Sequence, residues 1–145
     1  MPSQNAIEQQ LAGIYNWLLV SNKKNILRGL EKALRDDEML VDLLDGLFEG
    51  KTITGSAMGA GGILVITSKR LLFVPGEKAK APFEEVPYGE ITALKHEKSF
   101  SSVKLTIATR GGGVSFKTFA NESAVRKFAD RIREIEKNPP IAQSG

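Results

Sequence analysis

Between Gly62 and Val74 the chain carries two apolar runs, Ile63-Leu64-Val65-Ile66 and Leu71-Leu72-Phe73-Val74, parted by the polar tetrapeptide Thr67-Ser68-Lys69-Arg70. Short runs this rich in branched and aromatic side chains suit strands, and the break offers Ser68 and Lys69 as corner residues. The segment therefore reads as a buried β-hairpin that opens a β-rich second half. Nothing around it supplies catalytic chemistry, which points to a sheet that presents surfaces and binds.

A chain of 145 residues fits one domain with one core, and its 41% hydrophobic and 26% charged residues are ordinary for a globular protein. The absence of cysteine excludes disulfides and thiolate metal sites and fits a reducing compartment. Apolar runs fall short of the ~18–20 residues of a membrane span, and residues 1–10 lack the basic start and apolar core of a secretory signal. A soluble, cytoplasmic protein is the expectation. The net charge of +3 hides an asymmetry: residues 1–50 carry 5 Lys/Arg against 8 Asp/Glu, and residues 51–145 carry 15 against 9. A basic β half can favour anionic partners, but its cations form no dense run, so a solvated surface is the default reading.

The hydrophobic period divides the chain. Ile7, Leu11, Ile14 and Leu18 recur at helical spacing, with Trp17 and Leu19 widening the stripe, which predicts an amphipathic helix over residues 5–20. Asn22 is placed to cap a second helix in which Ile26, Leu30, Ala33 and Leu34 share a face, ending near Asp36 and Asp37; a single bent helix fits the same pattern. The greasy face around Trp17 and Leu18 must be covered by the sheet or by another copy of the chain.

Residues 39–48 are ambiguous, since Leu40, Leu43, Leu44 and Leu47 fit a helix while Met39, Val41, Leu43 and Leu47 partly fit a strand. Gly50, Gly55, Gly59, Gly61 and Gly62 mark a weak strand leading into a flexible loop. Beyond the hairpin come a turn at Pro75-Gly76, a charged loop over 77–81 and strands over 83–86, 91–98, 102–109 and 114–119, with Gly111 to Gly113 as a turn. Val103, Leu105 and Ile107 alternate with Lys104 and Thr106, and Val114, Phe116 and Thr118 with Ser115, Lys117 and Phe119. Asn121 can cap a last helix lined by Val125, Phe128, Ala129, Ile132 and Ile135; Asn138-Pro139-Pro140 stops it, and a disordered tail is expected after it.

About seven antiparallel strands followed by one amphipathic helix resemble the pleckstrin-homology (PH) superfold, and more closely the bacterial PH-like domains of the YokE type. The residues that carry the likeness are Asp37-Glu38, the run Ile63 to Ile66, Thr67-Ser68-Lys69-Arg70-Leu71-Leu72-Phe73, Val86-Pro87-Tyr88-Gly89-Glu90-Ile91 and Lys104-Leu105-Thr106-Ile107. The resemblance implies an α+β fold, a bent sandwich or barrel plugged by the C-terminal helix, and it tips residues 39–48 towards a strand that opens the sheet. The expected organisation is an N-terminal helical extension over 1–37, a PH-like domain over 38–137 and a tail over 138–145. Such domains are binding and assembly modules. Members that read phosphoinositides use Lys and Arg around the first hairpin loop, where this chain offers only Lys51, so that specificity does not carry over.

Catalytic readings fail on spacing and context. Gly46-Leu47-Phe48-Glu49-Gly50-Lys51-Thr52 has three residues between its glycines where a phosphate loop needs four, and it leads into Ile53-Thr54-Gly55 rather than a helix. His96 is the single histidine and cannot anchor a zinc site of the usual kind, and no elbow motif frames Ser99, Ser101 or Ser102. Paired carboxylates such as Glu84-Glu85 diverge on a strand. Lys95, Lys98, Lys104, Arg110 and Lys117 suggest nucleic acid, but Phe73, Phe83, Phe116 and Phe119 read as core rather than as stacking platforms, so no nucleic-acid partner is expected. Arg70 reads as a cation that packs over the sheet and pairs with Glu85 or Glu90.

The sequence reading is thus a non-enzymatic module without metal or cofactor. It acts through protein contacts or self-association, with anionic lipid headgroups as the alternative partner. Trp17, Leu18, Lys69, Arg70, Lys95 and Lys98 are the candidate interaction residues.

Overall fold

The computed structural model describes residues 3–14, 20, 23–49, 61–75 and 83–137. Two helices, α1 (Gln4–Leu11) and α2 (Lys23–Ala33), precede strands β1 (Leu40–Glu49), β2 (Gly61–Thr67), β3 (Leu71–Pro75) and β4 (Glu84–Val86). A 3-10 turn (Tyr88–Glu90) leads into β5 (Ile91–Lys98), β6 (Val103–Thr109) and β7 (Gly112–Thr118), and helix α3 (Glu122–Lys137) follows. All pairings are antiparallel, and the seven strands lie in the order β4-β3-β2-β1-β7-β6-β5.

The apolar runs of β2 and β3 are continuous because this half of the sheet is covered on both sides. Ile63 and Val65 of β2 and Leu72 and Val74 of β3 join a core with Ile7, Leu11, Ile14, Ile26, Leu27 and Leu30 of the N-terminal helices. Their neighbours Leu64, Ile66, Leu71 and Phe73 point the other way, into a core with Leu105, Ile107 and Phe116, closed by Val125, Phe128, Ala129 and Ile132 of α3. Alternate residues on a strand face opposite sides, so a strand buried on both must be apolar throughout. β1 shows the same division, Leu43 facing the helices and Leu44 the α3 side.

That division explains why residues 39–48 match two periods at once. They form the strand that the PH resemblance favours. β5 to β7 are instead covered on one side, and β6 keeps the expected alternation, with Val103, Leu105 and Ile107 buried and Lys104 exposed. Gly46 is required where β1 crosses to β7, since a Cβ there would stand 2.1 Å from the Lys117 carbonyl oxygen.

Three expectations need correction. The first helix ends at Leu11 rather than near residue 20: Gly13 N–H donates to the Gln10 carbonyl and Ile14 N–H to that of Leu11, so the chain tightens into a turn at a residue that favours helix poorly. Among the described residues of this segment there are two helices, the first closed by that turn. Phe119 and Phe83 are 65% and 40% exposed and are not core. Phe119 follows Lys117 on the outward side of β7, and Phe83 lies just before β4 against the Arg70 guanidinium, 5.6 Å from its ring centre. Asn121 caps α3 as expected, its Oδ1 accepting from Ala124 N–H at 2.8 Å. Trp17, Leu18, Leu19, the Asn22 cap, the loops over 50–60 and 76–82, Lys51 and residues 138–145 lie outside the described residues.

Candidate functional site

Arg70, at the end of the β2–β3 turn, is 5% exposed. Its Nε and Nη2 donate to the two Glu38 carboxylate oxygens at 2.9 Å each, Nη2 also reaches the Ala33 carbonyl at 2.6 Å, and Nη1 pairs with Glu85. Thr67 Oγ1 donates to Glu38 at 2.5 Å, and Tyr88 O–H donates to the Thr67 and Arg70 carbonyls at 2.6 and 2.8 Å. Burial alone would raise the Glu38 carboxyl, but hydrogen bonds from Arg70, Thr67 and the Arg35 N–H outweigh it and hold the group below its usual range. Burial likewise opposes the Arg70 charge, and its bonds to Glu38 and Glu85 override it, raising its pKa. Burial also pushes the Tyr88 phenol upward, so it stays a neutral donor. The cluster rivets the end of α2 to the β2–β3 turn and β4. Arg70 is therefore bound into the scaffold, through Glu85 as the sequence suggested and through Glu38, which the sequence reading missed as its partner.

Lys69, beside it, is held 2.9 Å from Asp37, whose carboxyl that hydrogen bond lowers. Lys95 and Lys98 sit elsewhere, both exposed on β5 but on opposite faces of the strand, Lys95 beside Thr106 and Lys98 beside Val103. Register pairs Glu97 with Lys104 and Lys104 with Lys117, and pairs Lys95 with Thr106 and Thr106 with Ser115, so these side chains form two rows on the outward face. Phe119 continues that face, with the Lys117 ammonium 5.9 Å from its ring centre.

The β5–β6 hairpin projects past the last pairing, Val103 with Thr118, and is closed by Ser99 N–H to the Ser102 carbonyl at 2.8 Å. Phe100 stands at its tip, 104% exposed, the most open of the large apolar side chains described. His96 lies on the other side of β5, with Nε2 4.0 Å from Glu122. The structure thus gathers Lys95 with Lys104, Lys117, Phe119 and the Phe100 tip, puts Lys98, opposite Val103, on the other strand face with His96, and keeps Lys69 and Arg70 apart in an acid-paired turn. Phe100 was missed because Ser99-Phe100-Ser101-Ser102 reads as a turn; the signal was one aromatic residue in a polar tip between two alternating strands.

Among the described residues no group of His, Cys, Asp and Glu is placed to hold a metal, and no helix is long and apolar enough to cross a membrane. The sequence model of the bacterial PH domain matches residues 34–134, most of the chain. The chain belongs to the bacterial PH domain family. Members are generally binding modules, and the match begins just past the end of α2, leaving both α1 and α2 outside it. Similar solved folds include a Vps36 N-terminal PH domain (17% identity, 72% of this chain and 83% of that one, TM-score 0.52). A C-terminal domain of an unknown protein from Leishmania infantum (18%, 78% and 96%, 0.51) is comparable. So is a DUF1696 family protein with a pleckstrin-homology domain from Shewanella loihica PV-4 (18%, 81% and 99%, 0.50). These likenesses establish the PH-like fold. No curated protein matches the chain significantly.

Proposed function

We propose that this PH-domain protein is a non-enzymatic, cytoplasmic recognition module whose contact surface is the corner formed by the outward face of β5 to β7 and the β5–β6 tip. The observation that carries the reading is Phe100, wholly exposed above a face bearing Lys95, Lys104 and Lys117. An apolar side chain kept in water on a hairpin gains nothing for folding and gains by contact with a partner.

Ile7, Leu11 and Ile14 are spent inside the fold, while Trp17 and Leu18, which argued for self-association, lie outside the described residues. A second reading, pairing between copies, is favoured by a different observation: β4 and β5 are the outermost strands of the described sheet. Light scattering on the purified chain decides it, because a strict monomer at high concentration discards edge pairing.

For the main reading, a photo-crosslinking residue is placed at position 100 or, as a control, at position 111 in the β6–β7 turn, and the cells are irradiated. Adducts of any class should concentrate at position 100. Equal yields at the two positions, or none at 100, would remove this corner as the contact surface.

A further inference from the structure

We infer that Arg133 straps the free edge of β5 and holds back a second copy of the chain, which would otherwise add its own β5 there. The inference stands apart from the reading of the Phe100 corner. It bears on pairing between copies, and makes it a state that Arg133 prevents. Of the two outer strands, β4 spans three residues and runs into Pro87, a poor template, whereas β5 spans eight. Ser99 N–H donates to the Ser102 carbonyl across the β5–β6 turn, so the alternation of an antiparallel ladder gives the bonded pairs as Glu97–Lys104 and Lys95–Thr106. Leu94, His96 and Lys98 therefore turn their N–H and C=O groups to the open edge. Arg133 closes that edge at one end: its Nη2 reaches from α3 to donate to the Leu94 carbonyl at 3.2 Å, while Nη1 donates to Asp130 at 3.0 Å.

The pattern of β5 itself names a second copy as the occupant. A register shift between Ile91 and Ala93 confines regular pairing to the stretch from Leu94 onward. Antiparallel pairing of two such stretches about His96 sets His96 against His96 and Leu94 against Lys98, so the edge-turned groups of both copies meet one another. The same register places Lys95 opposite Glu97 of the second copy, once on each side of the axis, and opposite charges so placed attract. One bond of each outer pair needs a Leu94 carbonyl, the acceptor that Arg133 takes. The Arg133 side chain also crosses the edge where the incoming backbone would lie.

Sedimentation equilibrium should show the parent chain as a monomer and Arg133→Ala as a monomer–dimer mixture. Association should tighten at least about tenfold, because the acceptor is released from a charged donor at both ends of the pairing. The Arg133 side chain is 43% exposed, so circular dichroism should show the variant folded. Arg133→Met, which keeps the aliphatic stem and loses the guanidinium, carries the same expectation should the alanine variant unfold. Adding Lys95→Glu to Arg133→Ala sets like charges against Glu97 of the second copy and should return the protein to monomer. The chain contains no cysteine, so His96→Cys in the Arg133→Ala background gives one thiol per copy at the axis, within disulfide reach of its counterpart. Mild oxidation should link two copies through position 96, whereas Gly111→Cys in the same background should stay unlinked.

A parent chain that dimerises as strongly as Arg133→Ala overturns the strap, as do folded variants at position 133 that remain monomeric. A dimer that survives Lys95→Glu, or that links no better through 96 than through 111, overturns β5 as the shared edge. None of these results changes the crosslinking expected from position 100.

Discussion

Replacing Arg70 with alanine tests how the N-terminal helices are fastened to the PH-like sheet. The Glu38 side chain is 0% exposed and has Arg70 as its counter-charge, through two hydrogen bonds of 2.9 Å. Arg70→Ala leaves that carboxylate with only Thr67 Oγ1 and the Arg35 N–H, and also frees the Ala33 carbonyl. Removing one partner of a buried, hydrogen-bonded ion pair costs about 3–5 kcal/mol. Glu85 is 45% exposed and solvent-screened, so its share of the loss is small.

Against a total stability of about 5–15 kcal/mol for a domain, the change should lower the urea midpoint severely at neutral pH. The pH dependence supplies the sharper check. In the parent chain Glu38 is held below its ordinary value, so its contribution is present above that value and is lost as the pH falls through the folded one. Without the guanidinium, burial dominates and raises the carboxyl, so the variant binds a proton earlier and is relieved of the buried charge. The deficit of Arg70→Ala should therefore shrink as the pH is taken from ~7 to ~4 in paired urea titrations. A deficit below about 1 kcal/mol at neutral pH, or one that widens in acid, would refute the reasoning.

Phe116→Ala removes a fully buried ring whose centre lies 6.4 Å from that of Phe73, and thermal melts should report a loss of about 3–5 kcal/mol. Gly46→Ala forces a Cβ against the Lys117 carbonyl oxygen, so amide exchange should accelerate selectively along the β1–β7 seam. Asn121→Ala removes the side-chain acceptor at the start of α3 and should cost about 0.5–2 kcal/mol by denaturant titration. Phe119→Ser, on an exposed side chain, should change stability by no more than about 0.5 kcal/mol in the same assay.

The strands and the last helix were legible because each carries its period on its surface. In β6 one covered face leaves Lys104 and Thr106 outward, and the pattern is unambiguous. In β1 both faces are covered, and Leu43-Leu44 serve two different cores, so period alone could not separate strand from helix and the family likeness had to. The early end of α1 was hidden because Ile14 continues the apolar stripe into the turn and is itself buried with it, so the spacing outlasts the helix.

The candidate surface was half legible. Charge singles out Lys95, which shares the outward face with Lys104 and Lys117, and equally Lys98, which stands opposite Val103 on the other face. Phe119 was misread as core, although its alternation with Phe116 already placed it on the opposite side of the strand. Arg70 reads in the sequence as pairing with Glu85 or Glu90, and the fold supplies Glu85; Asp37 against Lys69 and Glu38 against Arg70 come from residues that the sequence did not connect to them.

The central claim, recognition through the β5–β6 corner, is tested most directly by photo-crosslinking in cells from position 100 at the exposed tip, with position 111 in the β6–β7 turn as the control. The account predicts that adducts concentrate at position 100. Equal yields from the two positions, or none from position 100, would contradict it.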